Sequence, residues 1–179
     1  MKSTLAHSPA SADARSADFE ALVGPWVEEM YRAAAAIVGP GDAADVTQEA
    51  LLDAWRGFAR LRDRTRVRPW LHAIVANRAS KQIRASRSRP RLITVEIQGA
   101  VDSTGSRRDI ASAVVERDRM DRAFARLTAD QRVCLAFRYS IDLSVPQIAT
   151  ALGIPDGTVK SRIHAGVERL RAALAEDDR

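Results

Sequence analysis

Two boxes of the form Ser/Thr-x-x-Gln fix where helices begin in the C-terminal third of this chain. Thr128-Ala-Asp-Gln131 and Ser144-Val-Pro-Gln147 each set a hydroxyl at the N-cap and a glutamine three residues on. Such a pair caps two otherwise unpaired N–H groups reciprocally. The first box opens a helix through Tyr139. The second opens a short helix with Pro146 in its first turn, where the missing N–H costs nothing. In that short helix Ile148, Ala149 and Leu152 face inward, and Gly153 stops it at a left-handed C′ position. Pro155-Asp156-Gly157-Thr158 begins the next helix, with Val159, Ile163, Val167 and Leu170 inward at spacings of four, four and three. Short capped helix, glycine turn and second helix together make a helix-turn-helix pattern.

With that face inward, Lys160, Ser161 and His164 share the outer face, and Thr158 and Arg162 lie at its edges. The N-terminal turn favours phosphate through its dipole and free N–H groups. Lys and Arg neutralise phosphates, while Ser and His reach base edges in the major groove. The pattern reads as a DNA-binding helix.

The rest of the chain is also helical in pattern. Its 179 residues are 46% hydrophobic but only 5% aromatic, and Ala-rich sequence with recurring Leu, Arg and Glu favours helices. Phe19, Leu22, Val23, Trp26, Met30, Ala34 and Ile37 recur at helical spacing, with a kink or fresh start expected at Gly24-Pro25. Gly39-Pro40-Gly41 forces a turn. A second helix from Asp42 carries Val46, Ala50, Leu51, Ala54, Trp55 and Phe58 inward. A third, from about Arg68 to Arg84, buries Trp70, Leu71, Ile74, Val75 and Ile83. The expected fold is all-α: two small helical domains, a bundle over 18–86 and a helix-turn-helix over 115–175. Residues 1–17 are expected to be a disordered tail and 87–114 a flexible linker. LITVEI within that linker has no partner run and is not expected to stand as a strand.

Charge divides sharply in the first domain. Between Asp18 and Trp55 the only basic residue is Arg32; between Arg56 and Arg91 the only acid is Asp63, against twelve Lys or Arg. Opposite poles on one small domain suggest two partners, a basic protein surface and nucleic acid. The net charge of +5 suits a polyanion.

The sequence resembles a known family at these places. "LTADQRVCLAFRYSIDLSVPQIATALGIPDGTVKSRIHAGVERLRAAL" (Leu127–Leu174) is similar to region 4 of the extracytoplasmic-function (ECF) sigma factors of bacterial RNA polymerase, Gly157–Arg162 matching best. "DAADVTQEALLDAW" (Asp42–Trp55) resembles the polymerase-binding part of region 2, and "FARLRDRTRVRPWLHAIVANRASKQIR" (Phe58–Arg84) its promoter-melting part. The resemblance implies a sigma factor that binds core RNA polymerase, recognises promoter DNA and helps open it. Asp45, Gln48, Glu49 and Asp53 would dock on the β′ clamp helices, and the β flap would be a further contact. Arg62, Asp63, Arg64 and Thr65 match the loop that captures an extruded base, with Asn77, Arg78 and Lys81 holding that strand or adjacent phosphates. Exposing such a base costs a few kcal/mol, recovered by a fitted pocket and backbone contacts. Thr158, Lys160, Ser161, Arg162 and His164 would read the upstream element, and an anti-sigma protein would sequester the chain. Departures from the family are Leu61 and Val67 where Phe is frequent, Pro69 before Trp70, and Ala165-Gly166-Val167 in place of an Arg-rich stretch.

Other chemistry finds little support. Trp26, Trp55 and Trp70 sit on apolar stripes and are expected in cores; the lone Cys134 behaves as a small buried hydrophobe. His7, His72 and His164 show no metal-ligand spacing, and His72 is expected at a surface or cleft. Ser161 lacks a strand-elbow setting, and Gly39-Pro-Gly41 does not continue into a phosphate loop. No enzyme, metal or cofactor is expected. With no signal peptide or membrane-length apolar run, the expected setting is cytoplasmic, without membrane insertion. The alternatives are a stand-alone helix-turn-helix regulator, which would need neither the acidic face nor the Arg62–Thr65 loop, and a polymerase-binding decoy without promoter activity.

Overall fold

The computed structural model describes residues 9–87 and 119–177. Among them it is built of helices and short 3-10 turns, with no strand. The expected linker from residue 88 onward, LITVEI and residues 1–8 lie outside the described residues. The first half holds α1 (Pro9–Val23), α2 (Val27–Val38), α3 (Pro40–Gly57) and α4 (Val67–Arg87). The second holds a helix over 119–125 (α5), then α6 (Ala129–Tyr139), α7 (Val145–Leu152) and α8 (Asp156–Asp177).

One expectation is corrected at the N-terminus. Residues 9–17, assigned above to a tail, form the first turns of α1. Ala10, Ala12, Ala14 and Ala17 are strong helix formers. Tertiary contacts hold the helix down: Arg15 Nη2 donates to the Trp55 carbonyl at 2.9 Å and its guanidinium lies 4.6 Å from the centre of the Trp55 ring. Phe19 meets Trp55 and Phe58 edge-on, each at 5.2 Å between centroids.

The first core is made largely of alanine. Met30, Ala33, Ala34 and Ile37 of α2 bury against Ala43, Val46, Ala50 and Ala54 of α3 and Leu71, Val75, Ala76 and Ala79 of α4. Small side chains let the helix axes approach closely, so little aromatic volume is required. Thr47, buried on α3, returns its hydroxyl to the Ala43 carbonyl at 2.7 Å, which removes the cost of an unpaired polar group. Gly24-Pro25-Trp26 forms the expected break as a 3-10 turn. Gly39, at φ 95°, makes the α2–α3 corner, a backbone region that a side chain would disfavour.

The second half follows its caps closely. Both boxes are complete: Gln131 N reaches Thr128 Oγ1 at 3.2 Å while Gln131 Oε1 accepts from Thr128 N, and Ser144 and Gln147 repeat the arrangement. Gly153 adopts the left-handed conformation at φ 64° and ends α7. The inward stripe of α8 is turned slightly from the one expected. Val159, Gly166 and Ala173 are its buried residues, with Ile163, Val167 and Leu170 half-buried. A Cβ on Gly166 would stand 2.9 Å from Leu135 Cδ1; the glycine that departs from the family pattern is where α8 crosses α6.

The two halves share a seam. α4 packs on α6 and α7, and α2 on α6, so that one continuous core runs through both. Phe137 of α6 is fully buried, and its ring centre lies 5.3 Å from that of His72 on α4. Of the two places expected for His72, a surface or a cleft, it takes the second: it lines a cleft with Leu143 and Pro146, with only 2% of it exposed because α6 covers much of that face of α4. Its Nε2 meets Glu29 Oε1 at 2.6 Å, and Arg68 bonds the same carboxylate at 2.9 and 3.2 Å. Burial depresses the His72 pKa below its ordinary value, Glu29 opposing this only in part. The neutral imidazole thus donates to a carboxylate whose charge Arg68 balances.

Candidate polymerase and promoter interface

The acidic face forms on α3. Asp45, Gln48 and Glu49 are exposed and Asp53 is half-buried, one helical face because positions three and four apart stack on a helix. Leu52 stands among them with 46% of its surface exposed, an apolar residue that sequence reasoning passed over although it continues the same spacing. Asp45, Gln48, Glu49 and Leu52, together with Arg78 and Lys81 of α4, line an open groove of about 440 Å³.

Arg78 and Lys81, the residues of α4 expected to meet DNA, lie beside the acidic face. Arg78 Nη1 bonds Glu49 Oε2 at 2.6 Å, and its Nε forms a short bond to Asp53 Oδ2. The Arg78 hydrogen bond holds the Asp53 carboxyl below the usual carboxylate range, and Arg78 is raised in turn. Asn77 is exposed on the neighbouring position of α4.

The loop between α3 and α4 is shaped by its own side chains. Asp63 Oδ1 accepts from Thr65 N at 3.0 Å and from Thr65 Oγ1 at 2.5 Å, capping the 3-10 turn Arg64–Arg66. The Thr65 hydroxyl and N–H hold the Asp63 carboxyl low, keeping it ionised. Arg62 is exposed. Arg64 forks onto Asp18 of α1, with Nη1 to Oδ1 at 3.0 Å and Nη2 to Oδ2 at 2.5 Å. This hydrogen bond lowers the Asp18 pKa and raises that of Arg64. Arg64, Arg68 and Arg78 thus all pair with acids from the preceding half of the domain. The two charge poles seen along the sequence are partly neutralised by folding onto one another.

On α8, Lys160, Ser161 and His164 are exposed and Thr158 is half-buried, as the helical spacing requires. Ser161 Oγ donates to the Thr158 carbonyl at 3.0 Å, leaving the hydroxyl oxygen able to accept. Arg162 is turned toward α6 and pairs with Asp130 at 2.7 Å, 30% exposed. The helix start is free of bulk, since nothing lies within 4 Å of a Cβ built on Gly157. Cys134, behind this helix, is buried, and desolvation raises its thiol pKa. Among the described residues no group of three or more His, Cys, Asp or Glu is placed to hold a metal ion. None of the described helices is long and apolar enough to cross a membrane.

Comparison with known proteins agrees with this two-part layout. The Sigma-70 region 2 family matches residues 22–89, and the Sigma-70, region 4 family matches residues 117–170. ECF RNA polymerase sigma factor SigL of Mycobacterium tuberculosis is 34% identical over 178 residues, covering 96% of this chain and 97% of that protein. SigC of the same species is 31% identical over 97% of this chain and 91% of its own length. Among solved structures, CnrH in complex with the cytosolic domain of CnrY is 24% identical with a TM-score of 0.62, covering 93% of this chain and 95% of that one. The sigma factor RpoE in complex with the anti-sigma factor NepR from Bartonella quintana is 22% identical with a TM-score of 0.57, covering 90% and 99%. These solved neighbours share the fold. With both regions matched in order and full-length relatives above 30% identity, the chain belongs to the ECF sigma factors of bacterial RNA polymerase.

Proposed function

We propose that the chain docks on core RNA polymerase through the α3 groove and engages promoter DNA at two separate places. Asp45, Gln48, Glu49 and Asp53 would meet a basic surface on the β′ clamp helices, with Leu52 supplying apolar contact at the centre. Arg78 belongs to this groove, where it orients Asp53 and Glu49. The Arg62–Thr65 loop, with Asn77 and Lys81 on α4, would receive the unpaired strand. Lys160, Ser161 and His164 would read the upstream element in the major groove, with Thr158 at the helix start and Arg162 at its edge. A contact between the second half and the β flap would complete the assembly.

The observation that carries this reading is one chain presenting both an acidic groove with an exposed leucine on α3 and an exposed Lys-Ser-His face on α8. A stand-alone regulator has no use for the first, and a decoy has none for the second. The protein acts by positioning and strand capture, without chemistry of its own, in the cytoplasm where promoter and polymerase meet. An anti-sigma protein that covers these surfaces would hold it inactive; RpoE of Bartonella quintana, which shares the fold, is found in complex with the anti-sigma factor NepR.

In vitro transcription from fragmented genomic DNA with cognate core polymerase tests the proposal. Discrete start sites that appear only with the protein are expected, and they give its promoter sequence. No transcripts, alongside sequence-specific DNA binding by the protein alone, would replace it with the stand-alone regulator.

A further inference from the structure

Arg64 lies in the loop proposed to receive the unpaired strand, yet in the free chain its guanidinium is engaged with a protein carboxylate. The two terminal nitrogens face the two oxygens of Asp18 in parallel, at 3.0 and 2.5 Å. This fork is the geometry by which arginine takes a phosphate. The guanidinium also lies over the Phe58 ring at 5.4 Å, and Phe58 in turn meets Phe19 of α1. Asp18 is fixed beside the loop because its neighbours are anchored: Phe19 packs on Trp55 and Phe58, and Arg15 is bonded to the Trp55 carbonyl.

The side chains of Arg64 and Asp18 are 52% and 50% exposed. An ion pair this open adds little to stability, so it can be exchanged for another anion without disturbing the fold. We infer that Asp18 is a specificity-determining residue of the promoter loop, a carboxylate that occupies Arg64 until a strand phosphate displaces it. This inference rests on the proposed placement of the unpaired strand at the Arg62–Thr65 loop. Its consequence is selectivity. Any single strand that meets the loop must trade an existing charge-assisted pair for a new one, so Arg64 adds little to indiscriminate binding. A strand held in register by other contacts makes the exchange readily.

The test is binding of a fluorescent mixed-sequence DNA single strand to the full chain at low salt. Wild type is compared with Asp18→Asn, Arg64→Ala and the double variant. Asp18→Asn is expected to tighten binding roughly two- to fivefold, the size of one exposed ion pair. It is also expected to steepen the dependence of log affinity on log salt by about 0.7, the value for one added single-strand phosphate contact. Both gains should vanish in the Arg64→Ala background. An equal gain with and without Arg64 would reduce the effect to net charge and overturn the inference. No change on Asp18→Asn while Arg64→Ala weakens binding would overturn it and leave the loop's placement standing. If Arg64→Ala changes nothing in either background, the loop's placement fails, and the inference with it.

Discussion

Gly166 of α8 and Leu135 of α6 touch so closely that a methyl group on the glycine would stand 2.9 Å from Leu135 Cδ1 and 3.3 Å from its Cγ. Glycine in a helix ordinarily costs about 1 kcal/mol relative to alanine, so its presence here has a packing reason. Leu135 is itself buried, 3% exposed, and has little room to yield.

Gly166→Ala should therefore destabilise the protein. Overpacking a filled contact costs roughly 1–3 kcal/mol, which outweighs the propensity gained, for a net loss of about 1 kcal/mol. Gly157, with open space around it, serves as the control, and Gly157→Ala should leave stability level or raise it slightly. Urea unfolding of both variants checks this. A more stable Gly166→Ala would mean that Leu135 swings away freely.

Stability should fall as pH drops below the ordinary histidine value of about 6.5. His72 has a depressed pKa in the folded chain, set chiefly by burial. The unfolded chain then binds the proton first, and unfolding gains ground from about pH 6.5 downward. A separate loss should follow below the usual glutamate range. Although burial pushes the Glu29 carboxyl up, hydrogen bonds from Arg68 and His72 hold it lower than in the unfolded chain. Urea midpoints from pH 8 to pH 5 should decline in wild type and flatten in His72→Gln. A flat wild-type profile would show the imidazole to be as readily protonated in its buried place as in water.

Arg78→Ala should weaken core polymerase binding several-fold while leaving single-stranded DNA binding within about twofold, because its partners are Glu49 and Asp53 and one exposed phosphate contact is worth little. Charge reversal at Asp45 and Glu49 together should cost more, on the order of tenfold or about 1.4 kcal/mol. Titration of labelled polymerase measures both. The opposite pattern for Arg78, DNA binding lost and polymerase binding kept, would return it to the promoter.

Lys160→Ala should weaken binding to the upstream element and flatten the salt dependence by about 0.9, the value for one duplex phosphate. Arg162→Ala should instead act partly through stability, since Arg162 ties α8 to Asp130. Unchanged binding and salt slope in Lys160→Ala would remove that lysine from the contacts.

What the sequence made legible was local. The Thr128 and Ser144 boxes, the Gly153 stop and the outer face of α8 depend on residues within a turn or two of one another, and each stands as the spacing requires. The family resemblance added the order of the two regions. What stayed hidden was set by partners far along the chain. Arg64 finds Asp18, Arg68 finds Glu29 and Arg78 finds Asp53 across 46, 39 and 25 residues, so a run of basic residues looked free when several of them were not. The start of α1 was missed for the same reason, because Arg15 and Phe19 hold it to Trp55 in the last turn of α3 and to Phe58 just after it. How deeply His72 is buried in its cleft was hidden because α6, which covers it, belongs to the other half.

That covering has a mechanical consequence. The seam joins the part of the chain proposed to hold the unpaired strand to the part proposed to read the upstream element, and at its middle Phe137 is wholly dry against His72. The two parts cannot move apart without water reaching both rings. The reach of the molecule and the wetting of that one contact are the same event, and whatever stabilises a wet Phe137 also lengthens the protein's grasp.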